Sequence, residues 1–270
     1  MFPAFEITEN FSIPTYGLVF ITGYACALLL AVRCAYLYCT DKWDVVYAMI
    51  YGFFGIGIGA KVMYFLTKLP RVILRFELFK MMWKLDSDAA LSYLFGGLTF
   101  YGGLIGAIIG MYVYCRQYKV DGDNMAKVLV PYIPFAHMFG RIGCFLSGCC
   151  YGIPYSGIFA VRFPYDETNP VLSEVSRFPV QLLEAAGNFI LFLILLAVRK
   201  KSRLSGKSLL ALYLIMYGGL RIFTEILRDD PDRGKYLFFS TSQVISVAVI
   251  IYGIVCLAGA AKRDSAVSNP

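Results

Sequence analysis

The stretch richest in reactive side chains is His137-Met-Phe-Gly-Arg141-Ile-Gly143-Cys144-Phe-Leu-Ser-Gly-Cys149-Cys150-Tyr-Gly152. It begins as an apolar helix and ends as a loop of glycine and cysteine. Arg141 sits where hydrocarbon is expected. A guanidinium there costs at least ~2.5 kcal/mol on insertion scales, so it faces a protein interior or a wet cavity with an anionic partner. Arginine also matches phosphate best among side chains, because its planar fork donates two parallel hydrogen bonds. Gly140, Gly143, Gly148 and Gly152 let the backbone approach a ligand closely. Two readings stand side by side: a lipid-phosphate site at the mouth of a membrane cavity, or a tightly packed helix end with a buried ion pair.

A second polar set lies further on. Tyr217, Arg221, Glu225 and Arg228 recur at steps of four, four and three. At helical spacing they share one face, and Arg221 can pair with Glu225 one turn away. Either this is a self-satisfied ion pair, or Arg221 joins Arg141 in a clamp on a phosphate while Glu225 orients the guanidinium. Pro179-Val-Gln181-Leu-Leu-Glu184 opens another helix, with Pro in the first turn. Gln181 and Glu184 must face other helices, since lipid will not accept them. Lys61 either snorkels or meets a lipid headgroup. Tyr16 is an interfacial anchor or a headgroup contact.

The eight cysteines divide in two. Cys26, Cys34, Cys39, Cys115 and Cys256 lie in or at the ends of apolar helices, where packing as small hydrophobes is expected. Cys144, Cys149 and Cys150 cluster in the central motif. They support a disulfide from Cys144 to one of the vicinal pair, a reactive thiol, or a zinc site with His137 as candidate fourth ligand.

Elements able to carry these residues are apolar helices. The chain has 270 residues, is 59% hydrophobic and only 16% charged, below the ~25% of soluble domains. Its mean hydropathy is +0.65. Apolar runs near the ~20 residues that span a bilayer recur throughout. The expected fold is an all-α integral membrane protein, one membrane domain over 1–270. Seven spanning helices are expected near 16–39, 44–67, 94–115, 126–147, 180–198, 208–227 and 239–261. Residues 70–85 alternate basic and apolar side chains and should lie in the membrane interface. Residues 148–179 hold Gly, Pro and polar groups and should form a small extracytoplasmic cap. No cleaved signal is expected, since residues 1–15 carry no Lys or Arg. The net charge of +7 is scattered over loops, which argues for anionic lipid and against nucleic acid. The basic 199–207 loop, with Lys42, Arg116, Lys119, Lys127, Lys262 and Arg263 on the same side, should be cytoplasmic, leaving the N-terminus outside. Glycine is dense in the second and third spans. Most of it suits close helix contact, but Gly96-Gly97 and Gly102-Gly103 suggest an irregular helix start lining a cavity.

Together these residues resemble the prolipoprotein diacylglyceryl transferase family. The resemblance runs from Tyr16-Gly17 and Trp43-Asp44 through Gly59-Ala-Lys-Val-Met-Tyr64 and Gly96-Gly-Leu-Thr-Phe-Tyr-Gly-Gly-Leu-Ile-Gly106. It continues through Gly140-Arg-Ile-Gly143, Tyr151-Gly152, Pro179-Val-Gln-Leu-Leu-Glu184 and Tyr217-Gly-Gly-Leu-Arg221-Ile-Phe-Thr-Glu225-Ile-Leu-Arg228. It implies a bacterial inner-membrane enzyme that moves diacylglyceryl from phosphatidylglycerol to the lipobox cysteine of a lipoprotein precursor. No cofactor or metal is implied. Arg141 and Arg221 are implied to hold the headgroup; Glu225, Tyr217, Tyr16 and Gly152 also fall on positions the family uses. The catalytic set is then Arg141, Arg221, Glu225 and Tyr101. The binding set is Tyr16, Lys61, Gly102, Gly103, Gly143, Cys144, Cys149, Gly152, Gln181, Glu184, Tyr217 and Arg228. The family pattern implies His where Tyr101 stands, and Asn, Asn and Glu where Cys144, Ser147 and Cys149 stand. A tyrosine near pKa ~10 is a poor base for a thiol unless cations lower it. A different acceptor for the same phospholipid, or a lipid-binding protein without catalysis, are the alternatives.

Overall fold

The computed structural model describes residues 4–8, 11–164, 171–201, 204–229, 235–236 and 239–267, with side chains for 13–164, 173–201, 204–229, 240 and 242–260. Residues 202–203 of the basic loop, 165–170 of the 148–179 segment, 230–234 of the loop after the sixth span, and the side chains of Lys262 and Arg263 lie outside the described residues.

A short antiparallel hairpin, β1 (Ala4–Thr8) and β2 (Phe11–Pro14), precedes α1 (Thr15–Cys34), which tightens into a 3₁₀ turn over Ala35–Tyr38. Then come α2 (Lys42–Leu74), α3 (Phe76–Leu85), α4 (Ser87–Phe95), α5 (Phe100–Gln117), α6 (Gly122–Leu129) and α7 (Tyr132–Leu146). The short α8 (Val171–Glu174) leads to α9 (Val180–Lys201) and α10 (Gly206–Ile226). A second hairpin, β3 (Lys235–Tyr236) and β4 (Phe239–Ser240), enters α11 (Thr241–Val267). Apart from these hairpins and three isolated bridges, the described residues form helices and loops.

Among the described residues, five stretches are each long and apolar enough to cross a membrane alone: residues 15–38, 42–74, 180–201, 206–226 and 242–260. Two more are bent pairs: α4 with α5 at 67° and α6 with α7 at 40°. Counting each pair as one span gives seven, the number expected. The chain is a multi-pass membrane protein.

Three boundaries differ from expectation. The helix expected over 70–85 does not begin at Pro70: α2 continues through it to Leu74, and the chain turns at Arg75 before α3. Proline removes one backbone donor, a small loss close to the end of a 33-residue helix. The third span begins as α4 at Ser87, not near 94, and is interrupted over 96–99. The fourth is broken between Leu129 and Tyr132, where Pro131 removes a donor.

The chain forms two compact units, residues 35–125 and residues 1–34 with 126–270. In the first, α2 lies against α5 through glycine. A β-carbon on Gly59 would run into the Gly102 carbonyl, and one on Gly106 into the Gly55 carbonyl. Such close backbone approach suits a medium where helix association depends on packing rather than on water. Thr99 fixes the break before α5, its N–H and hydroxyl both reaching the Ala60 carbonyl (3.3 and 3.2 Å). Lys61 donates to the Phe95 carbonyl at the end of α4. In the second unit α1 packs on α7, α7 on α9, α9 on α10 and α10 on α11.

Candidate active site

The second unit gathers the buried charges. Helices α7, α9 and α10 each bring polar side chains inward, at positions 137 and 141, at 181, 184 and 188, and at 217, 221 and 225. Glu184 is 1% exposed and lies between the two arginines. Its Oε1 is 3.1 Å from Arg141 Nε, and its Oε2 accepts from Arg221 Nη1 at 3.1 Å. Arg221 Nη2 lies 2.8 Å from Glu225 Oε2, the i,i+4 pair expected from spacing, and also donates to Ser242 Oγ of α11 at 3.3 Å. Two guanidinium groups and two carboxylates form one buried chain of charge.

His137 completes the Arg141 side. Its Nε2 accepts from Arg141 Nε at 3.2 Å and lies 4.0 Å from Glu184 Oε1. Accepting through Nε2 places the imidazole proton on Nδ1. The ring meets Tyr217 edge-on, with centroids 5.1 Å apart, and Tyr217 stacks on Tyr213. The sequence offered His137 as a zinc ligand; the structure commits it instead to the arginine network. Asn188, one turn beyond Glu184, donates to its carbonyl (2.8 Å). Sequence reasoning missed Asn188 and Ser242. The i, i+3, i+7 spacing of 181, 184 and 188 could have found the first.

Tyr16 lies over the glycine face of α7. A β-carbon on Gly143 would stand 3.1 Å from the Tyr16 ring, which explains that glycine by helix contact. Gly152 is held between two backbones, and a β-carbon would strike the Phe178 and Leu227 carbonyls. Around it, Ile153 N–H donates to the Leu227 carbonyl (2.9 Å) and Phe178 N–H to the Ile153 carbonyl (3.0 Å). The 148–179 segment is thereby stitched to the ends of α9 and α10. Arg177 reinforces the stitch, bonding the Gly152 carbonyl (3.2 Å) and Asp229 (2.9 Å) and covering the Tyr151 ring at 4.5 Å. Arg228 pairs its backbone with Gly152.

Beyond α7 the chain reverses sharply. Gly148 has φ 72° and Cys150 φ 60°. For a residue with a β-carbon this left-handed conformation costs roughly 1–2 kcal/mol. Cys149 N–H returns to the Cys144 carbonyl (3.1 Å), and Gln181 Nε2 holds the Cys149 carbonyl (2.8 Å). The reversal brings the sulfurs of Cys144, Cys149 and Cys150 within 4.8 Å of one another. Hydrogen bonds from Cys144 and Cys149 hold the Cys150 thiol well below the ordinary cysteine value.

Tyr101, Lys61, Gly102 and Gly103 belong to the other unit. Tyr101 is buried in the first turn of α5, edge-on to Phe100. Gly102 and Gly103 face α2.

The profile of the family described as prolipoprotein diacylglyceryl transferase matches residues 3–258. The chain belongs to this family. Curated relatives agree over most of their length. The phosphatidylglycerol–prolipoprotein diacylglyceryl transferase of Clostridium tetani is 33% identical over 88% of this chain and 90% of its own. The second such enzyme of Clostridium perfringens is 32% identical, covering 89% and 88%. That of Proteus mirabilis is 32% identical, covering 94% and 90%. This member of the prolipoprotein diacylglyceryl transferase family is therefore an enzyme of the diacylglyceryl-transferring kind. Within it, the Arg141–Glu184–Arg221–Glu225 chain of charge stands beside a thiol-rich loop.

Proposed function

We propose that this protein transfers the diacylglyceryl group of phosphatidylglycerol to the lipobox cysteine of a lipoprotein precursor at the outer face of a bacterial cytoplasmic membrane. The observation that carries the reading is the Glu184-bridged pair Arg141 and Arg221, buried among apolar helices in a chain matched to the family over nearly its whole length. In this reading the N-terminus and the 148–179 segment lie outside, and the 199–207 loop and C-terminus lie in the cytoplasm.

The reaction breaks a carbon–oxygen bond at the glyceryl methylene, and the electron pair leaves on a phosphate oxygen. The leaving glycerol phosphate gains a second negative charge as the bond breaks. Guanidinium groups already oriented toward that charge lower the barrier, because they need no reorganisation during reaction. Arg141 and Arg221 serve this role. Glu184 sets their separation and Glu225 orients Arg221. The four charges cancel, so an incoming phosphodiester competes with Glu184 for guanidinium donors and tightens its hold as its charge rises. Tyr16, on the glycine face of α7, and Arg228 border the headgroup.

Mass spectrometry of a lipobox peptide incubated with the protein and phosphatidylglycerol tests the reading. The peptide should gain one diacylglyceryl group on its cysteine. An unmodified peptide, with the lipid transferred to another added acceptor, would replace this reading with a different substrate; lipid binding without turnover would replace it with a carrier.

A further inference from the structure

Three thiols converge in a loop whose backbone is strained to bring them together, and the arginine network does not use them. Cys144 is buried at the end of α7, Cys150 is half-buried, and Cys149 is exposed. Their sulfurs all lie within 4.8 Å of one another, and they are the one group of three or more metal-ligating side chains so placed among the described residues. Thiolates bound to one zinc at about 2.3 Å stand about 3.8 Å apart in a tetrahedron. Closing the cluster on an ion therefore takes a movement of roughly one ångström. Cys144 lies in the last turn of α7 and the other two in the loop that follows, where Gln181 bonds the Cys149 carbonyl.

We propose that Cys144, Cys149 and Cys150 bind one zinc ion, and that its fourth position, open on the Cys149 side, takes the thiol of the acceptor cysteine. This rests on the transferase reading and supplies the step for which Tyr101 is a poor base. Zinc sites that act on substrates keep three protein ligands and one exchangeable position, and a coordinated thiol is deprotonated outright. The acceptor thiol displaces zinc-bound water and releases its proton to solvent. The thiolate sulfur then attacks the glyceryl methylene. A carbon–sulfur bond forms, the carbon–oxygen bond breaks, and its electron pair leaves on the phosphate oxygen facing Arg141 and Arg221. The neutral thioether leaves zinc and water returns. No oxidant or reductant enters.

The test uses full-length protein in lipid nanodiscs, free of histidine tags and loaded with zinc or cobalt alone. One zinc per chain is expected. The cobalt form should show intense sulfur-to-metal charge transfer, falling by about a third, one thiolate in three, in Cys150→Ser or Cys149→Ser. Cys39→Ser should leave the spectrum unchanged. A lipobox peptide should add thiolate intensity, and its Cys→Ser form should not. Substoichiometric metal, a spectrum indifferent to both loop variants, or a disulfide between Cys144 and either neighbour in protein isolated with its thiols trapped overturns the site. Full transfer by zinc-free protein overturns the zinc role and leaves the transferase reading standing. Metal and peptide binding with no transfer in any lipid leaves the site standing and sinks the transferase reading.

Discussion

Glu184→Gln gives the sharpest view of how the charge network works. In the native protein Glu184 contacts both guanidinium groups at 3.1 Å and is almost fully buried. The amide keeps one acceptor but turns a donor toward an arginine and leaves the buried cluster one positive charge in excess. Removing one partner from a buried ion pair costs about 3–5 kcal/mol. At about 2–4 °C per kcal/mol for a chain of this size, the melting temperature should fall on the order of 10 °C. A phosphodiester supplies the missing negative charge. Phosphatidylglycerol at about 100 times its Kd should restore about 2.7 kcal/mol, most of the loss. Uncharged diacylglycerol with the same acyl chains should restore little. The assay is thermal unfolding in neutral detergent micelles with each lipid titrated in. A variant as stable as the native protein, or one that the two lipids stabilise equally, would refute the claim that these arginines form an anion site balanced by Glu184.

Three further outcomes follow from named contacts. Arg221→Lys cannot reach Glu184, Glu225 and Ser242 together; losing one or two charged hydrogen bonds of about 1.5–3 kcal/mol each should lower transfer at least tenfold, measured as peptide labelling rate. Gly102→Leu should lower the melting temperature without changing which lipid is used, because its side chain would strike the Gly59 carbonyl of α2; overpacking costs about 1–3 kcal/mol. Tyr101→Phe should keep the native pH-rate profile of peptide labelling, because the acceptor proton leaves through a metal-bound thiol and not through the phenol; a profile changed by this substitution would assign that proton to Tyr101.

The helices were legible because hydropathy and length report directly on a bilayer crossing. The Arg221–Glu225 pair was legible because a single helix fixes the geometry of i and i+4. Breaks at 96–99 and 130–131 were only half legible: paired glycines and a proline mark an interruption, but not the bend that results. Glu184 as the bridge between Arg141 and Arg221 was not legible, because no spacing within one helix tells which residue of a second meets a third. The convergence of Cys144, Cys149 and Cys150 was hidden for a different reason. It depends on left-handed backbone at Gly148 and Cys150, and a cysteine gives no signal for that conformation. His137 shows the opposite failure, where its position one turn before Arg141 favoured a local partner that the zinc reading passed over.

The most direct measurement is glycerol phosphate released per chain from phosphatidylglycerol, with a lipobox peptide present, by native protein and by folded Arg141→Ala. The native protein should release one glycerol phosphate for each peptide labelled, and the variant, assayed below its own lowered melting temperature, should release essentially none. Release by the variant at the native rate would mean that Arg141 does not hold the phosphoester and that the two-arginine clamp is wrong.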